Sequence, residues 1–89
     1  MKANVNIKTA LDEVNKVFRS GELVLSTEII HRPNMITFIT ETDKMKAEYA
    51  VDKKEKMIEF LEQLIEIIPP FHRYDIDDLI EELIGGENE

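Results

Sequence analysis

Apolar residues in the second half of the chain repeat at helical spacing. Residues 52–70 read DKKEKMIEFLEQLIEIIPP, and the apolar positions fall three and four apart (Met57, Phe60, Leu61, Leu64, Ile65, Ile67 and Ile68). This spacing predicts one amphipathic α-helix. Asp52 and Glu55 predict a capping box at its start. Pro69 and Pro70 end the helix because a proline ring has no backbone N–H to donate.

Two further helices follow from the same pattern. The first is predicted over about Lys8–Arg19 and is closed by Ser20-Gly21. Its apolar positions are Ala10, Leu11, Val14, Val17 and Phe18. A last helix is predicted after the diproline, with Asp75 as its N-cap and Gly85-Gly86 as its end. Its apolar positions are Ile76, Leu79, Ile80, Leu83 and Ile84, and residues 86–89 are expected to be a frayed acidic tail.

The segment between the first two helices is rich in β-branched residues. Residues 22–30 and 35–41 predict two strands, separated by a four-residue turn at 31–34 that contains Pro33. A second polar turn at 41–44 leads to a third strand over 45–51, in which apolar and polar residues alternate. Two short turns between three strands predict an antiparallel meander.

The order α-β-β-β-α-α predicts a single α+β domain over residues 1–89. It would have two layers, a three-stranded antiparallel meander with the helices packed on one face. Such a sheet is roughly 15 Å wide at ~4.8 Å per strand, and each helix needs about 8–10 Å. Two helices fit across it, so the third either packs on the second or buries its apolar residues against another chain. This surplus predicts a homodimer or a protein partner.

Charge is distributed unevenly along the 89 residues. The formal net charge is −8. Residues 1–58 hold ten basic and nine acidic residues, a balance of +1, whereas residues 59–89 hold ten acidic residues and only Arg73, a balance of −9. A field of this sign repels nucleic acid and attracts basic proteins.

Few residues point to catalysis or cofactor binding. The chain has no cysteine, and its two histidines, His31 and His72, do not occur at metal-ligand spacing. It also lacks a glycine-rich phosphate loop and a nucleophile elbow. We therefore expect a non-enzymatic protein without metal or cofactor. The start, MKANVNIKTALDEV, lacks the apolar stretch of a signal peptide, and no run could span a bilayer, so a cytoplasmic location without membrane contact is expected.

These observations favour function through protein–protein contact. The predicted contact surface is the last helix, with both its apolar and its acidic residues (Ile76, Asp77, Asp78, Leu79, Ile80, Glu81, Glu82 and Leu83). In one form the apolar residues complete a homodimer or a complex; in the other the acids engage a basic groove.

Two alternatives remain at this stage. In layout and acidity the chain resembles small phage-encoded inhibitors, which implies a mimic of nucleic-acid charge that blocks a DNA- or RNA-binding enzyme. No shared motif accompanies that layout. The order α-β-β-β-α is also that of double-stranded RNA-binding domains, and Lys53, Lys54 and Lys56 are similar in position to their lysine cluster. Acidic residues interleave with these lysines, which disfavours phosphate binding.

Overall fold

The structure is a computed structural model that describes residues 6–20 and 24–85. It contains three α-helices, three β-strands and one 3-10 turn. In chain order these are α1 (Ile7–Ser20), β1 (Val24–Arg32), β2 (Met35–Thr42), β3 (Lys46–Val51), α2 (Lys54–Ile67), the 3-10 turn (Pro70–His72) and α3 (Arg73–Gly85). The predicted α+β order α-β-β-β-α-α is confirmed. Gly21, Glu22 and the acidic tail at 86–89 lie outside the described residues.

The sheet is a meander with strand order β1-β2-β3. Phe38 in the central strand is paired with Ile29 of β1 and with Tyr49 of β3, both antiparallel. The predicted turn at 31–34 is too long, because His31 and Arg32 still pair with Ile36 and Met35. Only Pro33 and Asn34 form the turn. A two-residue connection lets the ladder continue up to the proline, which has no N–H to contribute.

All three helices cover one face of the sheet. The core combines the apolar side of each helix with the inward residues of the strands. Phe60 of α2 lies at its centre and is fully buried, with its ring stacked on Tyr49 at 4.2 Å between centroids and tilted against Phe38 at 5.8 Å. The opposite side of the sheet, here called the outer sheet face, is not covered by any helix within residues 6–20 and 24–85.

The predicted capping box at α2 is wrong. The N-cap is Lys53, in extended backbone, and no side chain caps the helix. Asp52 instead forms an ion pair with Lys56, with 3.2 Å between Oδ1 and Nζ. The carboxylate is one residue too early to reach the first free amides, whereas Lys56 stands one turn away.

The predicted N-cap of α3 is also wrong, since the helix begins at Arg73 and Asp75 lies in its first turn. Pro70 opens the 3-10 turn, and its fixed φ suits the start of a helix. Arg73, which ends that turn, has right-handed helical backbone. The helical path therefore runs from Pro70 into α3 without a separate cap.

The third helix is accommodated within the chain. It packs mainly on α2 and also reaches β1. Four of its five predicted apolar positions are buried, with exposures of 0–8% (Ile76, Leu79, Ile80 and Leu83), whereas Ile84 is 49% exposed. The sequence left two arrangements open for this helix, packing on the second helix or against another chain. The structure shows it packed on the second helix, α2. Most of the surplus apolar surface that suggested a homodimer is therefore buried within this chain.

Candidate protein-interaction surface

The outward sides of α2 and α3 carry a concentration of carboxylates. Eight acidic residues between 59 and 85 are all exposed (Glu59, Glu62, Glu66, Asp75, Asp77, Asp78, Glu81 and Glu82). We call this set the acidic surface. The two helices pack against each other, so their exposed carboxylates lie on adjoining parts of the surface. The ion pairs Lys46–Glu48 and Lys56–Asp52 both lie outside the set.

The single cation of this region is directed at backbone. Arg73 is the only lysine or arginine between 59 and 89. Its Nε donates to the carbonyl of Ile65 at 3.1 Å, and Arg19 of α1 donates from a terminal nitrogen to the carbonyl of Ile67 at 3.0 Å. Both bonds satisfy carbonyls in the last turn of α2, where the helix dipole also favours positive charge. Arg73 therefore neutralises the end of a helix as well as offsetting nearby carboxylates.

The side of α3 that faces away from the core has a defined composition. A helix turns about 100° per residue, so Tyr74, Asp78 and Glu81 project roughly opposite to the buried Ile76. All three are exposed. Phe71 extends the same line by one turn at its N-terminal end, because it stands three residues before Tyr74 on continuous helical backbone. Aromatic residues at one end of this line are thus followed by acids.

Two aromatic side chains in this line are almost fully exposed. Phe71 is 88% exposed and Tyr74 is 81% exposed, compared with 42–49% for the other large exposed hydrophobic residues in the described chain. We call Phe71 and Tyr74 the aromatic pair. Aromatic rings of this size are normally buried at least in part. The sequence pattern does not predict this pair, because a last helix capped by Asp75 leaves Phe71 and Tyr74 outside it.

The aromatic pair stands on a firmly anchored segment. His72 between them packs its ring against the buried Phe18 with 5.0 Å between centroids, and its amide donates to the carbonyl of Pro69 at 3.0 Å. Arg73 is tied to α2 as described above. Pro69 and Pro70 fix two consecutive φ angles. Both rings are therefore displayed from a backbone whose intervening residues are held to α1 and α2.

The eight residues predicted to bind a partner divide into two groups. Ile76, Leu79, Ile80 and Leu83 lie in the core of this chain, whereas Asp77, Asp78, Glu81 and Glu82 are exposed. The structure places both groups on α3 but on different sides of it. A partner that approaches from solvent meets the acids and the aromatic pair. It does not meet the apolar residues.

The remaining residues singled out in the sequence are dispersed. His31 is exposed near the end of β1, whereas His72 is half-buried and packs on Phe18 of α1. Within 6–20 and 24–85, no group of three or more histidine and acidic residues is arranged to hold a metal ion. Lys56 of the basic cluster is paired with Asp52, and this hydrogen-bonded ion pair lowers the pKa of the Asp52 carboxyl.

Comparison of the chain with protein-family models, with curated proteins and with solved structures finds no match. The helices in the described ranges are also too short or too polar for any of them to cross a bilayer.

Proposed function

We propose that this chain is a non-enzymatic protein that binds a protein partner with a basic surface, using the outward side of α2 and α3. One observation carries the proposal: eight exposed carboxylates occupy two adjoining helices in a stretch that contains one arginine. The rest of the chain is close to neutral. The charge is therefore directional, and it gives the molecule one strongly negative side.

Charge of this kind acts first on the rate of association. A negative side draws a positive partner into a productive orientation and accelerates encounter, and salt screens the effect. Carboxylates on helices also present fixed acceptors to arginine and lysine side chains. The expected partner is therefore a protein whose positively charged groove contacts the exposed sides of both helices.

The proposal is tested with an oligo-lysine peptide as the probe, by calorimetric titration at low and moderate salt. The variant D77N/D78N/E81Q/E82Q removes four carboxylates from α3. Its matched control, D12N/E13Q/E28Q/D43N, removes four exposed carboxylates from other elements. Both variants change the net charge by the same amount, so any difference between them reports position.

We expect the α3 variant to lose most of its affinity and the control to keep most of it, with binding by the unaltered protein weakening steeply as salt rises. Equal losses in the two variants would show that the peptide senses net charge alone. That result would contradict a localised binding surface.

The same carboxylates support a second candidate, in which the basic partner is a nucleic-acid-binding enzyme and this protein occupies its phosphate-binding groove. The distinguishing experiment is competition. A partner recovered by cross-linking through α3 would release the protein when DNA or RNA is added. If the partner binds nucleic acid and this protein at the same time, this protein does not occupy the phosphate-binding groove. The proposed binding to a basic protein surface would still stand.

A further inference from the structure

We infer that the aromatic pair, Phe71 and Tyr74, is the arginine-recognising anchor of this surface, so that the partner segment it takes is an arginine-containing basic stretch of a protein. The inference rests on the proposed function and specifies it. Charge alone does not distinguish arginine from lysine, whereas exposed aromatic faces do.

Phe71 and Tyr74 are exposed to solvent and lie close together along the helix. Both rings are more than four-fifths exposed, and they stand three residues apart on continuous helical backbone. Residues at this spacing are neighbours on one side of a helix. The two rings therefore stand about one turn apart on one side of the helix, each almost wholly exposed to solvent, and together they are called the platform.

Charge complementarity identifies the occupant. Asp75, Asp77 and Asp78 follow the platform within about one helical turn, and all three are exposed. A second copy of this chain that docked through the same surface would bring the same acids against them and be repelled. Nucleic acid would be repelled as well. A cationic segment is attracted, and its side chains meet aromatic faces and carboxylates together.

The chemistry of the two basic side chains then selects arginine. A guanidinium is planar, stacks on aromatic rings and forms paired hydrogen bonds to a carboxylate. An ammonium is more strongly hydrated and acts as a point charge. On a platform with carboxylates one turn away, a single arginine can stack on Phe71 or Tyr74 while a neighbouring arginine pairs with an aspartate.

Rigidity supports the role of an anchor. His72 is held against Phe18 and Arg73 against the carbonyl of Ile65, so the backbone between the two rings is fixed before a partner arrives. Binding then costs little conformational entropy at this position, which is a property of residues that dominate an interface.

The test compares an oligo-arginine peptide with an oligo-lysine peptide of the same length, titrated calorimetrically into the unaltered protein and into F71A/Y74A. Cation–π contacts at exposed sites predict that the two alanines lower affinity for oligo-arginine by roughly tenfold and change affinity for oligo-lysine much less. D77N/D78N serves as the comparison, since it should weaken both peptides and preserve the preference for arginine. Thermal unfolding of each variant checks folding, which these exposed positions should leave intact.

The outcomes separate the inference from the proposed function. An F71A/Y74A variant that keeps the full preference for arginine overturns the inference and leaves the acidic surface as the binding site. Failure of both peptides to bind the unaltered protein at low salt overturns the proposed function and the inference with it. Reversible dimerisation that F71A/Y74A abolishes would assign the platform to a second copy of the chain, which also overturns the inference.

Discussion

The outer sheet face and the acidic surface are both open to solvent, yet they are built differently. On the outer sheet face charges of both signs alternate with small or half-buried residues. Lys46 and Glu48, for example, are 3.7 Å apart, and Thr37 lies between Ile30 and Ala50. The acidic surface holds one sign of charge and adjoins the two exposed rings of the aromatic pair. Charges of opposite sign on the outer sheet face offset one another in part, whereas the carboxylates of the acidic surface repel one another, and a cationic partner would relieve that repulsion.

Both faces depend on the same core, and the largest effect is expected when that core is opened. Phe60 joins α2 to β2 and β3 through its contacts with Phe38 and Tyr49. Phe60→Ala should cost about 3–5 kcal/mol of unfolding free energy because it leaves a cavity among buried rings. Chemical denaturation measures this loss, and the exposed Phe71→Ala is the matched control. Similar stability in the two variants would contradict the central position assigned to Phe60.

A smaller loss is expected where a hydroxyl joins the helical layer to the sheet. The buried Thr42 side chain lies 3.0 Å from the Ser20 hydroxyl and accepts from the amides of Lys44 and Met45, both at 3.1 Å. Thr42→Val keeps the shape but removes these bonds, so about 1–3 kcal/mol should be lost. Thr42→Ser retains the hydroxyl and should recover part of the loss in the same denaturation experiment. A Thr42→Val variant as stable as the unaltered protein would contradict a role for the hydroxyl, and a loss found only in Thr42→Ser would assign the effect to the methyl group.

Arg73 distinguishes the acidic surface from the outer sheet face, because its removal should lower the stability of the protein but raise its affinity for a basic peptide. Arg73→Met removes the bond to the Ile65 carbonyl and should cost roughly 1 kcal/mol of stability. It also removes the only cation of the region, so affinity for the oligo-lysine peptide should rise. Arg32→Met, at an exposed position of β1, is the control. If Arg32→Met increases affinity as much as Arg73→Met does, the preference for the helical side is disproved.

The smallest predicted effect concerns pH. Burial raises the pKa of the Tyr49 phenol above its ordinary value of 10.0. Two nearby charges act on the same pKa in opposite directions: Lys56 lowers it and Glu59 raises it. Above pH 10 the phenol begins to ionise in the unfolded state while it is still protonated in the folded state. Its contribution to stability is therefore fully present below pH 10 and is lost as the pH rises through the folded pKa. In Tyr49→Phe this part of the alkaline loss should disappear. Urea midpoints on either side of pH 10 measure it, and unchanged pH dependence would contradict a partly buried phenol whose pKa is raised on folding.

Sequence patterns predicted the elements of this fold well because burial follows periodicity. The spacing of Ile76, Leu79, Ile80 and Leu83 is helical, and the structure buries all four. The alternation in β3 likewise placed Tyr49 on the side that meets Phe60. Helix starts were predicted less well. Asp52 and Asp75 both matched the composition of an N-cap, but cap geometry depends on backbone that neighbouring elements determine.

The candidate surface was only partly predictable. The acids were visible as a run of charge, and their exposure on two helices agrees with that pattern. The aromatic pair was not foreseen, because Phe71 and Tyr74 have the residue types of a core and no periodicity assigns them to a side. Their exposure arises from the diproline and the 3-10 turn, which set where α3 begins. That arrangement emerges only when the helices are packed together.

The central claim is that one side of this molecule, formed by α2 and α3, binds a basic protein segment. Its most direct test is an NMR titration of the isotopically labelled protein with the oligo-arginine peptide, following every backbone amide. The account predicts that the shifted amides cluster at residues 71–82 and on the outward side of α2, while the outer sheet face stays unchanged. Shifts that concentrate on the sheet, or that spread evenly over the molecule, would contradict it.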